Sequence, residues 1–170
     1  MERRKMRRLG NGVDHGGMNG SNPTVWAVDD DEGMLLWIET ALKRSYDVRT
    51  RPGLRGLVAA LEREPPDLLV LDVHFPDGDG VEAAVRIRRR PALARMPIVL
   101  ISGDTRIELA LRSLASGADM FMEKPIDAAR FRRQLRSLLR RRETAAWLAR
   151  KRVDRGARSG SVAGRRYQLP

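Results

Sequence analysis

The chain has 170 residues, 42% of them hydrophobic, which is enough apolar material for one ordinary packed domain with tails and hardly for two. Cysteine is absent, so disulfides and thiolate metal sites are excluded, and no apolar run approaches the length of a bilayer span. The net charge of +11 suggests a nucleic-acid binder until it is divided along the chain: +3 over residues 1–21, −4 over residues 22–129, and +12 over residues 130–170. The body is acidic and the basicity belongs to the ends. The N-terminus is basic but lacks the hydrophobic segment of a secretory signal, so a cytoplasmic location with no membrane contact is expected.

Residues 1–23 read as a flexible leader, Gly- and Asn-rich from Leu9 to Pro23, and Met18 is an alternative start to Met1. From Thr24 strands and helices alternate. Val25–Val28 is an apolar run stopped by Asp29, Asp30 and Asp31, followed by Met34, Leu35, Ile38, Ala41 and Leu42 at helical spacing. Tyr46–Thr50 is a weak strand, and Leu54, Leu57, Val58 and Leu61 mark a second helix that must end before Pro65-Pro66. Leu68–Leu71 is a continuous apolar run ending at Asp72, and Val81–Arg90 is a third helix. Ile98–Ile101 is a strand ended by Ser102, and Ile107–Ser116 is a helix with Gly117 as its C-cap. Met120–Met122 runs into Glu123-Lys124-Pro125, and a last amphipathic helix starts near Asp127 and carries Phe131, Leu135, Leu138 and Leu139.

Five such units with apolar strands predict a five-stranded parallel sheet, doubly wound with five helices in the flavodoxin-like manner, with flexible basic tails at both ends. In such folds ligands sit beyond the carboxyl ends of the strands. Asp29 and Asp30, Asp72, Ser102 and Lys124 each fall at such an end. Three convergent carboxylates resist ionisation unless a cation is present, and Mg²⁺ is the hard, oxygen-seeking ion that suits them. With the ammonium of Lys124 and the hydroxyl of Ser102, the set matches the three oxygens of a phosphoryl group mounted on a carboxylate.

Val28-Asp29-Asp30, Leu71-Asp72 with Pro76-x-x-Asp79-Gly80, Ile101-Ser102-Gly103 and Glu123-Lys124-Pro125 together resemble the motifs of response-regulator receiver domains, over residues 24–141. The resemblance implies that Asp72 is the phosphoacceptor, with Ser102 and Lys124 as its catalytic partners. It implies a Mg²⁺ site from Asp29, Asp30, Asp72 and the backbone carbonyl of His74. It implies Ser102 and Phe121 as switch residues, and a cis peptide before Pro125. The implied partner is a sensor histidine kinase or histidine phosphotransfer protein, and no external substrate is turned over. Two departures stand near the site: an extra acid in the loop Phe75-Pro76-Asp77-Gly78-Asp79-Gly80, and Asp104 two residues after Ser102.

Singly, each motif has a plainer reading, such as a helix cap for Asp-Asp or a loop for Lys-Pro; the joint order is what favours the receiver. A haloacid-dehalogenase-type phosphatase would need a second aspartate where this chain has His74. Residues 142–170 read as a basic helical extension or disordered tail. With Arg140-Arg141-Arg142, Arg150-Lys151-Arg152 and Arg165-Arg166 around Trp147 and Tyr167, they admit DNA or RNA binding as an alternative output. The favoured expectation is a stand-alone receiver acting through protein contacts, a homodimer through the 106–141 face among them. That face carries Arg106, Arg112, Arg130 and Arg133.

Overall fold

The computed structural model describes residues 22–159, and the leader with Met18 and the last eleven residues lie outside them. In chain order the elements are β1 Thr24–Val28, α1 Glu32–Leu42, β2 Asp47–Arg51, α2 Leu57–Arg63, β3 Leu68–Asp72, β4 His74–Phe75 and β5 Gly78–Asp79. They continue with α3 Gly80–Arg88, β6 Ile98–Ser102, α4 Ile107–Ala115, β7 Met120–Glu123 and α5 Ala128–Ser159. Five strands form one parallel sheet in the order β2-β1-β3-β6-β7. The fold is the predicted doubly wound one. The chain reverses its direction of winding between β1 and β3, and a crevice opens there.

The strands are apolar throughout because both faces are covered. Side chains alternate across a strand, so Val25 and Ala27 face one way and Trp26 and Val28 the other. The first pair packs with α1 and with Phe131, Leu135, Leu138 and Leu139 of α5. The second packs with Leu57 and Leu61 of α2 and Val81, Ala84 and Ile87 of α3. The two edge strands depart from the rule: β2 is largely exposed, and of β7 only Met122 is buried.

Two local features differ from the sequence expectation, and it leaves a third open. Helix α2 starts at Leu57, not Leu54, because Gly56 adopts a left-handed φ of 70° that interrupts the helix; Leu54 still packs on the core from the preceding turn. The loop after β3 contains the short antiparallel pair β4 and β5, too brief to register as periodicity. Of the two readings of the segment from residue 142, helical extension or disordered tail, the described residues follow the first: α5 continues as one helix of 32 residues to Ser159. Among the described residues no helix is long and apolar enough to cross a membrane.

Remote from the crevice, Arg88 at the end of α3 ties three segments together. Its guanidinium donates to the Gly117 carbonyl at 2.7 Å, to the Met96 carbonyl at 2.6 Å and to Asp119 Oδ2 at 2.7 Å. Gly117, at φ 89°, closes α4 as the sequence suggests, and a side chain there would press on the Arg88 stem.

Candidate functional site

β1 and β3 lie side by side, so the acids that follow their last apolar residues converge. Asp29 is fully buried, Asp72 nearly so, and Asp30 is exposed, yet each offers a carboxylate oxygen within 4.8 Å of the others. Lys124, just beyond β7, reaches across the strand ends: its Nζ lies 2.8 Å from Asp29 Oδ2 and 2.7 Å from Asp72 Oδ1. Backbone donors fix the remaining oxygens. The His74 N–H donates to Asp72 Oδ2 at 2.7 Å, and the Asp31 N–H to Asp29 Oδ1 at 2.9 Å. The result is an open cleft lined by Asp29, Asp30, Asp72, His74, Gly103 and Lys124.

Burial is the largest influence on Asp29 and carries its pKa above the usual carboxylate value. Hydrogen bonds from Lys124 and the Asp31 N–H pull the other way, and the charge of Asp72 adds to the rise. Burial alone would lower the pKa of Lys124, but its hydrogen bonds to Asp29 and Asp72 outweigh that and leave it above the ordinary lysine value. The cleft thus holds one fixed cation against more than one carboxylate. Clustered hard oxygen donors with an unmatched negative charge suit a small divalent cation of the Mg²⁺ type.

Ser102 is buried at the end of β6, the strand beside β3, with its Oγ accepting the Asp104 N–H at 3.0 Å. Its carbonyl accepts the Lys124 N–H at 2.7 Å, so the two motif residues are coupled through backbone. Ser102 borders the cleft without lining it. Phe121 stands back from the cleft: half-buried on β7 opposite Leu100, it packs against the core on the α2–α3 side. The Lys124–Pro125 peptide is cis.

The two departures look different in three dimensions. Asp104 is not a bare acid: Arg106 grips it, with Nε 3.0 and 2.9 Å from its two oxygens and Nη2 2.5 Å from Oδ2. Those bonds hold its pKa down at about 2. Its Oδ2 also lies 3.9 Å from His74 Nε2. In the loop after β3, Asp77 accepts the Leu54 N–H at 3.2 Å, and Asp79 caps α3 by accepting the Val81 and Glu82 N–H groups at 2.7 and 3.2 Å. Asp79 Oδ2 also meets Arg112 of α4 at 3.3 Å. The sequence signals neither arginine's partner, because both pairs bridge loops whose geometry has no period. Gly80 has a stricter reason than turn geometry. A Cβ there would fall 1.9 Å from the Asp72 carbonyl oxygen, and its N–H donates to the Val73 carbonyl at 2.7 Å, so α3 starts hard against the backbone that carries Asp72.

This fold, with an acidic cleft and an opposed lysine at the β1–β3 switch point, defines a chemotaxis-regulator-like α/β domain. The family model for the response regulator receiver domain matches residues 25–136, and the chain belongs to that family. It is 32% identical over 126 residues to the alkaline phosphatase synthesis transcriptional regulatory protein PhoP of Bacillus subtilis, which is 74% of this chain and 52% of PhoP. Against the phosphate regulon transcriptional regulatory protein PhoB of Rhizobium meliloti the identity is 32% over 122 residues, 70% of this chain and 53% of PhoB. In fold it matches a CheY-like receiver domain protein from Methanospirillum hungatei with a TM-score of 0.68 at 24% identity, covering 74% of this chain and 99% of that one. The chain spans about half the length of the curated relatives it matches.

Proposed function

We propose that this chain is a cytoplasmic phosphorylation switch of two-component signal transduction, in which Asp72 accepts a phosphoryl group from a sensor histidine kinase or a histidine phosphotransfer protein. The observation that carries the reading is the state of the Asp72 carboxylate. It faces the cleft with Oδ1 on the Lys124 ammonium and Oδ2 on the His74 N–H, both at 2.7 Å. A carboxylate held this way at a strand end is oriented to attack, and the lysine beside it is a ready counter-charge for the incoming group.

An Asp72 oxygen forms the new bond to phosphorus as the phosphorus–nitrogen bond of the phosphohistidine breaks and the imidazole leaves with the bonding pair. Lys124 pairs with the arriving phosphoryl oxygens, and Ser102 donates its hydroxyl to one of them. Asp29, Asp30, Asp72 and the backbone carbonyl of His74 would hold Mg²⁺, which when bound supplies positive charge against those same oxygens. The chemistry ends at the aspartyl phosphate and its own hydrolysis, with no external substrate turned over.

The output is a change of protein contacts through the face of α4, β7 and α5. Its arginines are not equivalent: Arg106 and Arg112 are held by Asp104 and Asp79, whereas Arg130 and Arg133 meet no acid among the described residues. An acidic partner or a second copy docking there engages α5 first. The test is labelling by acetyl phosphate with and without Mg²⁺. Base-labile label should appear only with the metal and vanish in Asp72→Asn; equal labelling of that variant overturns the assignment.

A further inference from the structure

The basic charge of the C-terminal third, unexplained by the phosphoryl site, is sorted by α5 into two sets. Two arginines turn toward the body and are satisfied there. Arg132 donates to the Ala41 carbonyl at 3.3 Å, and Arg142 donates to the Asp67 carbonyl at 2.9 Å. Four others, Arg130, Arg133, Arg140 and Arg141, are exposed and form no ion pair among the described residues. At 100° per residue these four fall within one stripe of the helix about 100° wide, together with Ser137 and Thr144, and Glu143 lies outside it, about 60° beyond Arg140. Ser137, Arg140, Arg141, Thr144 and Leu148 line a shallow groove along that stripe, with no acid in it.

We propose that this outer face of α5 is a docking surface for the phosphate backbone of nucleic acid, read without regard to base sequence. A helix with arginines three and four apart repels itself, and residues 143–146 leave the body exposed, with no packing to hold them helical. A polyanion removes that repulsion. The choice of cation fits phosphate, since each of these four bases is a guanidinium, whose planar fork binds phosphate oxygens in pairs. The Ser137 hydroxyl suits the same oxygens, whereas that of Thr144 donates to the Arg140 carbonyl at 3.0 Å. The face offers little to other polyanions. Among the described residues Leu148 is the one large apolar side chain of the groove from Ser137 to Leu148, so a membrane has little to bury there and a protein partner has few anchors beyond the Arg130–Arg133 end. The surface begins at Arg130, within the receiver itself, and the same helix carries further bases to Arg158.

The experiment measures anisotropy of a labelled 25-base-pair duplex of arbitrary sequence with the full chain at several salt concentrations. Four engaged arginines give a slope of log K against log salt of about −3.6 or steeper, and Arg133→Gln with Arg140→Gln and Arg141→Gln makes it shallower by roughly three. The body-facing pair Arg132→Gln and Arg142→Gln should change it by less than one. A flat slope in the parent chain, an unaltered triple variant, or equal losses from both sets overturns the proposal. So does capture of the chain by vesicles of 30 mol% phosphatidylserine with no duplex binding at low salt. The triple variant should melt no lower than the parent, because it removes only exposed like charges.

Discussion

At the residue scale, the acids around the cleft are distinguished by what holds them rather than by their number. Asp29 is buried and its pKa is raised; Asp104 is half-buried and its pKa is pushed down to about 2 by Arg106. A carboxylate whose folded pKa lies below its unfolded value stabilises the fold above the unfolded value, about 3.9, and loses that contribution as pH falls toward 2. The Asp104 carboxyl should therefore titrate near 2 by NMR in the parent chain. In Arg106→Gln it should return to the ordinary aspartate range, with the fold intact at pH 7. An unmoved midpoint would show that the guanidinium is not its cause. Sequence shows that Asp104 stands near the site, but its neutralisation two residues on is a property of a loop conformation. The Asp29–Asp30–Asp72–Lys124 grouping was legible because each residue ends a strand, and strand ends can be read from apolar runs.

At the element scale, α5 has two regimes. Up to Leu139 it is bolted to the sheet by Phe131, Leu135, Leu138 and Leu139, and beyond Arg142 its described side chains are exposed. Leu135→Ala removes a fully buried side chain and should lower unfolding free energy by about 2–5 kcal/mol in chemical denaturation. Truncation after Arg142 should leave that quantity within about 0.5 kcal/mol and Asp72 labelling unchanged, since the described side chains beyond it, residues 143–146 and Leu148, are exposed. A large loss on truncation would mean that the extension belongs to the core. The helix start was readable from Asp127 and the apolar stripe. Its length past residue 142 was not, because a polar helix without a buried face leaves no periodic trace. The start of α2 failed for a related reason: Leu54 has helical spacing and core packing, but Gly56 in the left-handed region ends any helix that includes it.

At the scale of the whole molecule, the proposed function requires a signal arising at Asp72 to cross from the strand ends to the α4–β7–α5 face. Phe121 lies on that route, half-buried on β7 beside the strand that ends at Ser102. If Ser102 moves toward a phosphorylated Asp72, the space it leaves favours an inward turn of the Phe121 ring, in a two-state equilibrium that phosphorylation biases. Beryllofluoride should alter self-association or partner binding of the parent chain, and Phe121→Ala should abolish that response while keeping the label on Asp72; a normal response would return Phe121 to a packing role. The two ends of α4 are not equally free to follow. Its start, at Arg106, has no side-chain cap, while the residue just past its end, Gly117, is pinned by the Arg88 guanidinium. A helix clamped past its far end through Gly117, and tied nearer the cleft through the exposed arginines of the pairs Arg106–Asp104 and Arg112–Asp79, is expected to swing rather than slide. Arg88 would be the pivot, and a displacement at Asp72 would reach the α4–β7–α5 face as a change of angle.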